Sequence, residues 1–294
     1  MVKYAKALKT PDPKNQVSHI HQRSVAADLM GVEVSLNKMG HRGPDIDFSL
    51  PDQKILVLGS SITLGWGVDE ANTFTATLEN LLNSSNQKKT RVINAGIGNY
   101  NSYYQMQLLK DQIATVGPDL VVLQYFLNDA EPNPVQKNSL LLQNSLFLAF
   151  LYDKFAAIQY RLSGGGTLED HYEKIYTDNS PSWQRAQNDL LAMKEMTEKH
   201  SAKFVVMLVP EFFNLDPKGP FKGFHNQIKQ TLQGLNIHTI DTYDTFSKRF
   251  FKKEKEVWVS DTDRHPNKEG HRIMAQFMFE HLAFDNQKSL SVLK

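Results

Sequence analysis

Residues Lys54–Val68 read KILVLGSSITLGWGV, and the punctuation of that stretch decides the fold. Four apolar residues, Ile55 to Leu58, run unbroken into Gly59; two serines follow, then Thr63, Gly65 and Gly67. A continuous apolar run closed by glycine is the pattern of a buried parallel strand ending at the rim of a sheet. Ligands of open α/β sheets sit in the crevice outside the strand carboxyl ends. Ser60 or Ser61 would therefore stand where a nucleophile is useful. Small polar residues also suit a plain strand-to-helix turn, so this stretch alone leaves a structural and a catalytic role open.

Downstream the chain alternates. Phe74, Leu78, Leu81 and Leu82 fall on one face of a helix, and Arg91–Gly96 reads as a second short strand. Ser102–Val116 is a helix closed by Gly117-Pro118, a stop signal. Asp119–Tyr125 is a third strand, Lys203–Val209 a fourth ended by Pro210, and His238–Thr242 a weaker fifth. Ala186, Leu190, Met193 and Met196 precede the fourth strand at helical spacing, and Ile273, Met274, Phe277, Met278 and Leu282 mark a last helix. Such alternation predicts an α/β domain over residues 52–294, a doubly wound parallel sheet with helices on both faces.

Two regions stand apart from this pattern. Residues 1–51 lack strong periodicity and carry Pro11, Pro13 and the turn-like GHRGPD of Gly40–Asp45. They are expected to form an extended arm packed on the main domain, disordered before about Gln16, with His19, His21 and His41 as scattered surface histidines. A mainly helical insertion is expected at about 130–182. Its run LLLQNSLFLAFLYDKFAAIQYRL, Leu140–Leu162, reads as one helix apolar nearly all round, broken by Gly164-Gly165-Gly166. Packing between other elements is its expected role; a lid, or a surface meeting a membrane or partner, is the alternative.

Composition narrows the classes of function. At 294 residues, 40% hydrophobic and 22% charged, the chain can bury a sizeable core. Its formal charge is +1, and the lysines at 252, 253 and 255 are interleaved with Glu254 and Glu256 as on a solvated face, so no nucleic-acid partner is expected. The absence of cysteine removes disulfides, thiolate metal sites and a cysteine nucleophile. No signal peptide is visible at Met1, and Leu140–Tyr152 is too short and too interrupted to span a bilayer. A soluble chain is expected.

Polar groups gather at the predicted strand ends. Strand one ends at Ser60-Ser61, strand two runs into Gly96-Ile97-Gly98-Asn99-Tyr100, and strand three into Phe126-Leu127-Asn128-Asp129. Just before the last helix lies Ser260-Asp261-Thr262-Asp263-Arg264-His265-Pro266-Asn267. Nucleophilic ester chemistry needs a hydroxyl, a base within hydrogen-bond reach, a group to orient the base, and donors for the oxyanion. All four would converge on one sheet edge.

In these blocks, over about residues 52–284, the chain resembles the SGNH (GDSL-like) hydrolase superfamily. Gly59-Ser60-Ser61-Ile62-Thr63-Leu64-Gly65 matches the first block, with Ser61 as nucleophile and Ser60 in place of the usual aspartate. Asn94-Ala95-Gly96-Ile97-Gly98-Asn99-Tyr100 matches the second, which puts Asn99 on the glycine whose backbone N–H serves the oxyanion; asparagine tolerates the positive φ of such a site. Phe126-Leu127-Asn128-Asp129 keeps the third block's asparagine, and Asn128 would donate its side-chain amide to the oxyanion. His265-Pro266-Asn267, with Gly270 and His271, matches the last. The resemblance implies a triad of Ser61, His265 and Asp263, with Asp261 as the fallback carboxylate because Thr262 stands at the usual position. It further implies an oxyanion hole of Ser61, Asn99 and Asn128. Asp261, Asp263, His265 and His271 have side chains that suit zinc or manganese, but His271 falls inside the last helix, where the family histidine is structural. No metal or cofactor is expected.

The expected function is a serine esterase removing a small acyl group, an acetyl, from a carbohydrate. An O-acyltransferase would use the same residues, and a degenerate carbohydrate-binding protein is the reading from another class, given the lost glycines at Asn99 and Phe126. Trp66, Tyr100, Tyr103, Tyr104, Tyr125 and Phe126 would either stack on sugar or pack in the core. Gly31–Asp45, with Asn37, Gly40 and Arg42, is similar to a bacterial branch that acts with membrane anchors or polysaccharide export machinery. That similarity implies an extracytoplasmic location and a membrane or export-machinery association; it does not address oligomeric state.

Overall fold

A computed structural model describes residues 2–50, 52–85, 89–133 and 167–291. Five parallel strands form the central sheet: β5 (Gln53–Leu58), β6 (Thr90–Asn94), β7 (Leu120–Tyr125), β8 (Lys203–Leu208) and β9 (His238–Asp241). Their spatial order is β6-β5-β7-β8-β9. β5, the first of the five in the chain, thus lies between the second and the third. The winding direction reverses there, and the crevice above the carboxyl ends of β5 and β7 is the place where such a sheet binds ligands.

Alternate residues of each strand face opposite layers. Ile55 and Val57 of β5, with Val122 of β7 and Met207 of β8, pack under α3 (Phe74–Ser85), α8 (Tyr243–Phe250) and α9 (Lys268–Ser291). Leu56, Leu58, Leu123 and Val206 face α4 (Ser102–Val116), α6 (Pro181–Lys199) and α7 (Pro220–Gly234). This three-layer doubly wound α/β sheet is the expected fold. Both faces are covered, which is why the strands read as unbroken apolar runs instead of alternating ones.

The first fifty residues are more structured than an extended arm. They contain α1 (Val2–Leu8), the strand pair β1 (Lys9–Thr10) and β2 (Ile20–His21), and the hairpin β3 (Val25–Leu29) with β4 (Val32–Leu36). Tyr4 and Leu8 are buried against Leu64 and Trp66, so the expected disorder before Gln16 is not found. Two of the three histidines are not on the surface either: His21 and His41 are only 4% and 2% exposed. Each has a polar partner, the Gly40 carbonyl and Tyr4 hydroxyl for His21 and the Gln112 side chain for His41. Burial therefore costs neither of them every hydrogen bond.

The remaining elements are α2 (Ser61–Leu64), α5 (Leu168–Ile175) and the hairpin β10 (Trp258–Ser260) with β11 (Asp263–Pro266). The apolar run of Leu140–Leu162 lies outside the described residues. Among the described residues no helix is long and apolar enough to cross a membrane.

Candidate active site

The site is built on the turn from β5 to α2. Gly59 is required there because a Cβ would come within 2.1 Å of the Thr63 hydroxyl and 3.0 Å of the Gln124 side-chain oxygen. Gly96 is required for a similar reason: its Cβ would lie 2.3 Å from the Leu64 nitrogen. The second motif is thus pressed directly on the helical turn that carries Ser61. Asn94 ties the two together, donating to the Thr63 carbonyl at 2.7 Å while its own oxygen accepts the Gly96 N–H at 3.1 Å.

Arg42 secures the far end of the same turn. Its guanidinium is buried and donates to the carbonyls of Leu64, Gly65 and Val68 at 2.6–2.7 Å. These carbonyls belong to the end of the four-residue helix and to the loop just beyond it. Arginine, with donors in a fixed fork, can satisfy all three at once. A role for Arg42 in shaping this turn is not evident from sequence spacing, because its partners lie more than twenty residues away.

The turn aims Ser61 at β11. The Ser61 Oγ lies 2.8 Å from the His265 Nε2, and the His265 Nδ1 lies 2.6 Å from the Asp263 Oδ1. Ser60, by contrast, is 2% exposed and points into the protein. The other Asp263 oxygen accepts the Trp66 indole N–H at 2.8 Å, and Oδ1 also accepts the His265 backbone N–H at 3.1 Å. The His265 hydrogen bond, more than any other contact, holds the Asp263 carboxyl down at about 2. Asp261 is instead exposed and paired with Lys255, away from the imidazole. Thr262 lines the cavity and takes no part in the chain of contacts.

Asn128 sits in a short 3-10 turn, Leu127–Ala130, beyond β7 and lines the same cavity. Its side chain makes no hydrogen bond to the described residues, and its oxygen is buried. Asp129 underpins the turn. It is fully buried, accepts the Phe126 N–H at 2.6 Å and the Gln105 amide at 2.9 Å, and burial pushes its carboxyl up to about 8.

Asn99 is not among the cavity-lining residues. It lies at the tip of the adjoining turn with φ +72°, the left-handed conformation a glycine would adopt there. Its side chain turns toward Lys9, 2.9 Å away.

The cavity, about 440 Å³, is lined by Ser61, Asn128, His265, Phe126, Glu211 and Arg264 among others. Glu211 and Arg264 were not anticipated. Glu211 follows Pro210 directly beyond the carboxyl end of β8, so the strand-end rule that drew attention to Ser61 could have found it. Of the aromatic residues considered for sugar stacking, Phe126 lines the cavity; Trp66, Tyr100, Tyr104 and Tyr125 are buried in the protein. His271 is also buried, accepting the Phe74 N–H at 3.0 Å and stacking on its ring. No cluster of metal-ligating side chains occurs among the described residues.

The model of the GDSL-like Lipase/Acylhydrolase family matches residues 57–273. No curated protein matches. Among solved structures, an α/β hydrolase from the metagenome of Lake Arreo, Spain, is similar with a TM-score of 0.52 at 15% identity, over 80% of this chain and 97% of that one. The psychrotrophic esterase EstA from Pseudoalteromonas sp. is similar at 0.51 and 16%, over 80% and 100% of the two chains. A catalytic mutant of an acetylxylan esterase from Geobacillus stearothermophilus is similar at 0.51 and 18%, over 78% and 93%. At these identities the likeness is one of fold.

Proposed function

The chain belongs to the GDSL-like lipase/acylhydrolase family of ester hydrolases, and from that premise we propose that Ser61, His265 and Asp263 are its triad, acting on an acetyl ester of a carbohydrate. The observation that carries this reading is the unbroken pair of contacts, 2.8 Å from Ser61 to His265 and 2.6 Å from His265 to Asp263.

With Asp263 ionised, the imidazole carries its proton on Nδ1 and offers a bare Nε2 to Ser61. Ser61 Oγ attacks the ester carbonyl as its proton passes to Nε2. The carbonyl oxygen becomes an oxyanion, met by the Ser61 backbone N–H and the Asn128 amide, with the Asn99 backbone N–H, from the turn beside the cavity, as the third donor that the motif resemblance implies. Collapse expels the alcohol, which takes the proton from Nε2, and leaves the acyl group on Ser61. A water molecule then gives its proton to Nε2 and attacks the acyl carbon; the second collapse frees the acid and returns the proton to Ser61. The solved acetylxylan esterase of the same fold makes a sugar acetate the first substrate to try.

The test is hydrolysis of p-nitrophenyl acetate by the wild type and by Ser61→Ala, Ser60→Ala and His265→Ala. Loss of turnover in the first and third variants, with retention in Ser60→Ala, is expected. Loss in Ser60→Ala alone would move the nucleophile by one residue. A wild type that neither turns over nor is labelled by a serine-directed phosphonate would be a binding protein. Donor turnover that rises sharply on adding a saccharide acceptor would instead identify an acyltransferase.

A further inference from the structure

Two ionisable groups at the cavity, Glu211 and Arg264, are not used by the ester chemistry. Glu211 lines the same cavity as Ser61, Asn128 and His265, although the residue is only 8% exposed. One of its oxygens meets the Tyr172 hydroxyl at a long 3.4 Å. The other has no hydrogen-bond partner among the described residues, and the residue lines the cavity wall.

A buried carboxylate would normally be paired. Among the described residues Glu211 forms no salt bridge; the nearby Arg264 guanidinium lies over the Phe213 and Trp258 rings, 4.6 and 5.6 Å from their centroids. Burial therefore dominates and pushes the carboxyl up to about 8, with Arg264 and Tyr172 offsetting it only in part. At neutral pH the group is largely a carboxylic acid, one O–H donor beside one acceptor. That pairing is complementary to an alcohol, which also donates once and accepts. Arg264 adds guanidinium donors at the same wall, without a hydrogen bond among the described residues, while Ile62, Phe126, Phe212 and Pro266 supply apolar surface.

We propose that Glu211, assisted by Arg264, recognises a free hydroxyl on the alcohol part of the ester, which makes the substrate class a partly esterified polyol such as a sugar monoacetate. This rests on the esterase reading above and deepens it. Glu211 touches no reacting atom. It sets specificity by leaving a buried polar group unsatisfied when the substrate lacks the hydroxyl, the arrangement in which enzymes discriminate strongly against an analogue missing one polar group.

The experiment compares kcat/KM for the 6-monoacetate of methyl glucoside with that for cyclohexylmethyl acetate, an ester of similar shape without hydroxyls. The wild type is expected to favour the glucoside. The ratio of the two values should fall about 10-fold or more in Glu211→Leu and stay within about threefold of wild type in Glu211→Gln, whose amide still donates and accepts. A wild type that favours the hydroxyl-free ester overturns the proposal whatever the variants do, and so does a ratio unchanged in Glu211→Leu. Should the wild type hydrolyse neither ester and resist phosphonate labelling, the esterase reading fails separately. Calorimetric titration with methyl glucoside then decides: binding weakened about 10-fold in Glu211→Leu and kept in Glu211→Gln upholds the hydroxyl site, and equal binding in all three overturns it.

Discussion

Lys9 and Asn99, ninety residues apart in the chain, meet directly: the lysine amine donates to the Asn99 Oδ1 at 2.9 Å and to the neighbouring Gly98 carbonyl at 2.8 Å. The same amine lies over the Tyr4 ring, whose hydroxyl accepts the Gly98 N–H at 2.9 Å and contacts His21 at 2.7 Å. His19 reaches the Gly98 carbonyl as well, at 3.1 Å. Both the N–H and the C=O of Gly98 are therefore held by the N-terminal segment. Where the family pattern has glycine, an asparagine with positive φ is fixed from outside the domain's own loops.

If the Asn99 N–H serves the oxyanion as proposed, Lys9 positions it. Replacing Lys9 by Met should lower kcat about 10-fold with a smaller change in KM, short of the ~10²–10³ typical of deleting a donor outright. Lys9→Arg, which keeps the charge and the donors, should recover part of the loss. Steady-state kinetics on p-nitrophenyl acetate decide it. An unchanged kcat in a folded Lys9→Met would leave the oxyanion to Ser61 and Asn128 alone.

Asp263 makes a different kind of prediction, about pH. Its carboxyl sits near 2 in the folded protein against 3.8 as the reference, chiefly through His265. The depressed value means that its contribution to folding is present above about pH 4 and is lost as pH falls through about 2. The acid limb of the activity profile should accordingly not belong to this carboxyl. Asp263→Asn should cost about 10²–10⁴ in kcat by disturbing the imidazole tautomer. Trp66→Phe, which removes only the indole hydrogen bond, should cost far less and raise the Asp263 titration measured by NMR. A Trp66→Phe loss as large as that of Asp263→Asn would place the indole itself at the reacting centre.

The unequal legibility of this chain has a physical origin. β5, β7 and β8 are buried on both faces, so their apolar runs are written locally, as are the glycine that closes β5 and the proline beyond β8. Three of the motifs follow strands of the central sheet and the fourth lies on the β10–β11 hairpin; Ser61, Asn128 and His265 line one cavity. Asp263 over Asp261 is a matter of two residues on one hairpin, where β11 turns one side chain to His265 and the turn exposes the other. His21, His41, Lys9 and Arg42 were opaque because their partners lie far along the chain, and a histidine that will be buried looks the same as one that will not. Glu211 carries no motif, and its place just beyond the carboxyl end of β8 is the one sequence signal that marks it.

Gly96 tests how tightly two of these motifs are locked. A Cβ there would lie 2.3 Å from the Leu64 nitrogen and 2.7 Å from the Thr63 carbonyl carbon, both backbone atoms with nowhere to move cheaply. Gly96→Ala should therefore destabilise the fold by about 1–3 kcal/mol, as overpacking does, and displace the turn that carries Ser61. Thermal unfolding gives the first quantity and phosphonate labelling of Ser61 the second. Wild-type stability in this variant would mean that the β5–α2 turn is looser than its contacts require.

Asp129 carries the last prediction. Burial raises its carboxyl from 3.8 to about 8, against the two hydrogen bonds that favour the charged form. Between those values the folded protein retains a proton that the unfolded chain has released, so this group's contribution to stability is greatest below about pH 4, declines through the window, and is constant above about 8. Asp129→Asn removes the titration. The new amide would find a partner, since the Gln105 oxygen is buried without one and a flip of that side chain presents it as an acceptor while the remaining oxygen still takes the Phe126 N–H. The unfolding temperature of Asp129→Asn should therefore gain on wild type as pH rises from 6 to 9. Asp129→Ala should lose about 1–3 kcal/mol at every pH, because it strands the Phe126 N–H and the Gln105 amide and frees the turn that presents Asn128. Unfolding curves of wild type and Asp129→Asn that stay parallel over that range would show that the carboxyl is already ionised in the fold, held by its two donors in spite of its burial.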